Sequence, residues 1–127
     1  MNSVVNEITI NGTTYVPKGS IPDYAPALEL DGMKYCIIRT YSAGVFAGYY
    51  DEDERNGQEV VIHNARRIWY WDGANSLSQL AKDGTAAPQN CKFAVIVDKI
   101  IVLQAIEIIE CTGKAQKSIQ EVPVWQK

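Results

Sequence analysis

Residues 35–50, YCIIRTYSAGVFAGYY, and residues 64–81, NARRIWYWDGANSLSQLA, crowd arginines, aromatic rings and small residues together. In a β-strand successive side chains point to opposite faces. Read that way, ARRIWYW puts Arg67, Trp69 and Trp71 on one face and Arg66, Ile68 and Tyr70 on the other. An arginine beside two indoles makes a stacking and anion-pairing surface, because guanidinium binds carboxylate or phosphate in a fork and indole offers flat apolar area. The competing arrangement has the tryptophans filling a core with the arginines stacked over them as a lid. CIIRTY adds a second pair. Ile37, Arg39 and Tyr41 share one side of a strand, and the SAG that follows is expected to bend the chain where a backbone approaches a ligand. A plain hairpin turn, with Gly44 and Gly48 at special backbone angles, is the alternative.

After Trp71 the residues DGANSLSQLAKDG read as a turn, a capped short helix and a stop. Ser76 stands at the N-cap with Gln79 at the third helical position, and Gly84 ends the helix in a left-handed conformation. Leu77, Leu80 and Ala81 are expected to face the core. Free amides at such a start receive anions, although most caps serve only their helix. The candidate ligand-binding residues are therefore Arg39, Tyr41, Arg66, Arg67, Trp69, Trp71 and Ser76.

The words RTYSAGVFAGY, ARRIWYW and GANSLSQLA, with the CKF segment at Cys91 and the closing VPVW, resemble a family of small proteins encoded by bacteriophages and prophages and classified as a domain of unknown function. The resemblance runs from about Lys34 to Trp125. It implies a phage accessory protein of the kind that counters host defence, and it brings no catalytic residues to transfer.

With 127 residues, 46% hydrophobic and 21% charged, the chain is expected to form one soluble domain with a real core. A net charge of -3 argues against general nucleic-acid binding, which needs a basic surface excess. There is no apolar run of membrane-spanning length and no basic leader with an apolar core in MNSVVNEITING. The cytoplasm of a bacterial host is the expected location. Cys36, Cys91 and Cys111 are odd in number and widely spaced, so they fit neither a disulfide framework nor a zinc ribbon and read as buried thiols. His63 is the only histidine and cannot supply a multi-histidine metal site.

Taken in order, EITINGTTYVPKG alternates on both sides of Asn11-Gly12 and predicts an N-terminal hairpin. A two-stranded ribbon is scarcely stable alone, so it must dock on the main domain or on a neighbouring subunit. The expected division is a hairpin over residues 1–18, a proline-bearing linker over 19–33 and a core domain over 34–127. Residues 34–41, 45–51, EVVIH and ARRIWYW are expected to form a four-stranded antiparallel meander. DEDERNGQ between them reads as a solvated acidic tip with an Asn56-Gly57 turn, lacking the spaced ligands of a calcium loop. CKFAVIV predicts a fifth strand and Asp98-Lys99 a turn. IIVLQAIEIIECT, rich in β-branched residues, predicts one more strand. Thr112 opens a helix that Pro123 stops, and Trp125 is left to bury against the sheet or a partner chain.

The fold expected is α+β, a strongly bent antiparallel sheet or small barrel with two short helices and an added N-terminal hairpin. No nucleophile with a base beside it, no paired carboxylates and no cofactor loop appear, so the reading is not an enzyme and needs no cofactor or metal. The first expectation is a module that sequesters a small anionic ligand, of cyclic nucleotide or cyclic ADP-ribose type, as a homo-oligomer. The alternatives are a protein-interaction module that inhibits a host protein and a phage structural component.

Overall fold

The computed structural model describes residues 8–10, 13–15 and 27–126. β1 (Ile8–Ile10) and β2 (Thr13–Tyr15) pair antiparallel, with Ile8 opposite Tyr15 and Ile10 opposite Thr13. The expected Asn11-Gly12 turn, the end of the hairpin segment at 16–18 and the part of the expected linker over 19–26 lie outside the described residues. The end of that linker is docked. Ala27 N donates to Cys111 O at 3.2 Å, and the Gln116 amide accepts from Leu28 N and donates to Leu28 O. Asp31 and Gly32, at φ 52° and 82°, then turn Leu30 back onto Met33.

The main sheet is antiparallel and six-stranded, and it is not closed. β3 (Lys34–Thr40) and β4 (Val45–Tyr50) pair as expected. EVVIH and ARRIWYW do not form two strands but one, β5 (Val60–Tyr70). Its two halves stay continuous because Asn64, at φ 48°, takes up one extra residue where the β4 register shifts between Ala47 and Tyr49. The bulge keeps Val60, Ile62 and Ala65 on one face and puts Arg66 and Ile68 on the other.

β6 (Lys92–Phe93) and β7 (Val97–Val102) share the edge of β5 that β4 leaves free, while β8 (Ala105–Glu110) lies beyond β3. CKFAVIV is thus a two-residue strand, a link and the start of another. Asp98-Lys99 is not a turn, since Lys99 pairs with His63 inside β7. IIVLQAIEIIECT is not one strand either. It breaks at Leu103-Gln104, on one side of which it pairs with β5 and on the other with β3. A link of only two residues between opposite edges requires the sheet to bend until those edges approach. Ala105 N donates to Gln58 O and Tyr41 N to Gln104 O across that approach, each at 2.9 Å.

Both faces of the bent sheet are therefore buried. The inner face packs on itself through Cys36, Ile38, Phe46, Val60, Ile62 and Val102. The outer face, with Tyr35, Ile37, Ala47 and Ile68, is covered by α1 (Leu77–Asp83) and α2 (Gly113–Glu121) through Leu80, Ala81, Ala115 and Ile119. Burial pushes the Cys36 and Cys111 thiols up to about 12, so they stay protonated at neutral pH.

Both helix caps fall where the sequence puts them. Ser76 Oγ accepts from Gln79 N at 3.1 Å, while the Gln79 side chain accepts from Asn75 N, one residue before the position a capping box would use. Gly84, at φ 76°, ends α1. Thr112 serves both helices. Its Oγ1 accepts from Ala115 N at 3.1 Å to start α2, and it donates to Lys82 O at 2.5 Å while its N–H donates to Ala81 O at 2.9 Å to finish α1. Thr112→Val keeps the shape but removes the hydroxyl, and should cost about 2 kcal/mol. A urea midpoint equal to that of the parent chain would refute this shared role.

Candidate functional site

The β4–β5 register sets Arg67 directly opposite Phe46 on the inner face. Phe46 is fully buried, and the half-buried Arg67 lies against it with Cζ 4.7 Å from the ring centroid. Trp69, two residues along the same strand, has its centroid 5.2 Å from that Cζ and is 60% exposed. Among the described residues the Arg67 guanidinium has no carboxylate partner and donates no hydrogen bond. An arginine held between rings with its donors unused is ready for an anion.

Beside it is a cavity of about 320 Å³, lined by Thr40, Ser42, Ala43, Phe46, Arg67 and residues 100–104, with no carboxylate in its wall. Two backbone features build the rim. The first is the turn after β3, held by Thr40, whose hydroxyl donates to Gly44 O at 2.7 Å and accepts from Ala43 N at 2.9 Å. Gly44 adopts φ 100° there, as the hairpin-turn alternative has it, while Gly48 takes no such angle. The second is the Leu103-Gln104 corner, tied to the first by Tyr41 N to Gln104 O and by the Ser42 hydroxyl to Gln104 Oε1 at 3.3 Å.

The other expected site residues do not converge here. Arg66 points to the opposite face, is only 2% exposed, and donates to Ala94 O, Ile119 O and Val122 O. Arg39 also belongs to the outer face, opposite Val45, and pairs with Glu107 at 3.0 Å. Trp71 follows the end of β5 and packs with the helix-side cluster, because the β5–β6 register shifts after Ile68 and Gly73 turns the chain at φ 81°. Ser76 caps α1 on that same side. Tyr41 is 76% exposed and adjoins the rim at Ser42. Of the expected residues Arg67 lines the cavity, with Trp69 against its guanidinium and Tyr41 next in sequence to the rim. Phe46, Ser42 and Gln104 join them without having been singled out from sequence; the alternation of VFAGYY places Phe46 on a face, but only the register sets it under Arg67.

A larger cavity, about 680 Å³, lies at the far end of the sheet between Lys34, Cys36, Tyr50 and the acidic turn. Both of its cations are paired with carboxylates, and Asp51 and Asp53 add further negative charge to its wall. Lys34 faces Glu110 at 3.5 Å and Arg55 faces Glu52 at 2.9 Å. The Tyr50 hydroxyl and Arg55 together hold the Glu52 carboxyl below the usual carboxylate range. His63 Nε2 meets Glu54 at 2.8 Å nearby, which anchors this turn to β5. Among the described residues no group of three or more His, Cys, Asp or Glu is placed to hold a metal ion, and no helix is long and apolar enough to cross a membrane.

No curated protein and no solved structure matches the chain. A family model does, over residues 33–119, from the close of the Asp31-Gly32 turn into α2, so it takes in the whole Arg67 cavity and leaves out the N-terminal hairpin. Because that match spans more than half of the sequence, the chain belongs to the family described as Domain of unknown function (DUF6948).

Proposed function

We propose that this protein is a binding module that captures a small anionic ligand without turning it over. The observation that carries the reading is the half-buried guanidinium of Arg67, unpaired among the described residues, which lies against Phe46 and Trp69 at a cavity free of carboxylates. One guanidinium suits one phosphate group. The exposed indole of Trp69 suits a stacked base, so the ligand class is a nucleotide or a nucleotide-derived signal of the cyclic nucleotide or cyclic ADP-ribose type. With the bacteriophage resemblance, the role is that of an accessory protein in the host cytoplasm, a homo-oligomer that sequesters such a signal from host defence.

Isothermal titration against cyclic nucleotides and cyclic ADP-ribose isomers tests this. Saturable heat is expected from at least one of them. Arg67→Ala should weaken it by about 10- to 100-fold, the value of a charge-assisted hydrogen-bonded contact. Absence of heat with every ligand, at protein concentrations well above micromolar, would remove the reading.

A second reading rests on the apolar side chains around the same cavity. Trp69, Ile101 and Leu103 are all more than half exposed, as a hot spot for a host protein would be. Trp69→Ala should then abolish capture of a host protein from lysate while no small ligand binds.

A further inference from the structure

We infer that Gln104 supplies a second donor to the Arg67 cavity, its amide NH2 group joining the guanidinium in binding one ionised oxyanion. This rests on the anion-binding reading and adds a binding residue to it. The polar groups of the wall can be taken in turn. The Thr40 hydroxyl is committed at both ends, giving its proton to Gly44 O and receiving one from Ala43 N. The Ser42 hydroxyl gives its proton to Gln104 Oε1. An amide whose carbonyl oxygen is engaged presents its NH2 group outward as a donor. Among the described residues that NH2 group has no protein acceptor, and neither have the N–H groups of Arg67.

The main chain at Gln104 is held in place. Its backbone carbonyl receives Tyr41 N at 2.9 Å, which fixes the corner independently of the side chain. The remaining wall is apolar, with Ile100, Ile101, Val102 and Leu103 on one side and Phe46 on the other. Among the described residues the side chains of this wall with unused N–H groups are thus Arg67 and Gln104, and both suit an oxyanion. Phosphate esters and carboxylates share the required chemistry, and the test separates them.

Three probes are used with the full chain: inorganic phosphate, cyclic AMP and benzoate. Binding is read from the Arg67 Nε–H resonance and from tryptophan fluorescence. Gln104→Glu keeps the size, replaces the donor by a carboxylate, and should weaken every probe that binds by about tenfold or more. Gln104→Ala removes the donor without adding charge and should weaken binding about fivefold. Because the Gln104 side chain is exposed, both variants should melt with the parent chain. Phosphate and cyclic AMP binding without benzoate assigns the pocket to phosphate; benzoate binding alone assigns it to carboxylates. Parent-like affinity in both Gln104 variants, with binding lost in Arg67→Ala, overturns the role of Gln104 and leaves the anion reading standing. If neither these probes nor the other cyclic nucleotides and the cyclic ADP-ribose isomers shift the Arg67 resonance of the parent chain, both fall together.

Discussion

Replacing Arg66 with methionine is expected to lower stability by about 3–5 kcal/mol, the scale for leaving a buried charged network without its partner. The guanidinium is almost wholly buried, and its Nη1 donates to Ile119 O at 2.9 Å and Val122 O at 2.7 Å. Those carbonyls lie at the C-terminal end of α2, where helical partners run out and the helix dipole is negative. Nε donates to Ala94 O at 2.8 Å, in the link between β6 and β7. One side chain therefore fastens a helix end to a sheet edge over the Phe93 ring, 5.3 Å away. Methionine fills the volume but leaves three carbonyl oxygens without that donor. Lysine keeps the charge and lacks the planar fork, so Arg66→Lys should fall between the two. Burial draws the Arg66 pKa down, yet arginine titrates so high that it stays charged, and the loss should be flat across neutral pH. Urea unfolding at constant slope is the measurement. A methionine variant with the parent midpoint would show that the carbonyls are satisfied in another way.

Gly48→Ala is the second large effect, expected at about 3 kcal/mol or more from overpacking against backbone. A Cβ on Gly48 would stand 2.5 Å from Ile62 Cγ2, 2.8 Å from His63 O and 3.1 Å from Ala65 Cα. Two of these are main-chain atoms of the bulged part of β5, which cannot swing aside as a side-chain tip would. Glycine is needed here for closeness of approach, not for a left-handed angle. Gly44→Ala supplies the contrast. Nothing lies within 4 Å of its added Cβ, so only the strain of φ 100° counts, at about 1–2 kcal/mol. Thermal melts of the two variants should separate clearly; equal melting temperatures would show that β5 moves away from β4 at little cost.

Much of this fold was legible because its signals are local. Asn56-Gly57 turns at φ 62° between bridged Asn56 and Glu59, and Ser76, Gly84 and Thr112 cap the helices from the positions their chemistry demands. The pairing of residues 34–40 with 45–50 and the burial of all three cysteines came from the same kind of reading. The bulge that carries one strand through Asn64 and the break at Leu103-Gln104 were not legible. Neither carries glycine or proline: the first is a shift of register against β4 and the second a change of strand partner, events with no trace in the neighbouring residues.

Alternation alone determined that Arg66 and Arg67 take opposite faces of one strand, and that Arg67 and Trp69 share theirs. It had no means of saying which face two helices would cover. Only the packed chain decided that: α2, some fifty residues on, brings its carbonyls to Arg66, while the bend of the sheet carries the Leu103-Gln104 corner to Arg67 and leaves its donors open. Neighbouring guanidiniums of equal chemistry part company because a strand's period is a property of the backbone, whereas burial depends on what distant segments bring.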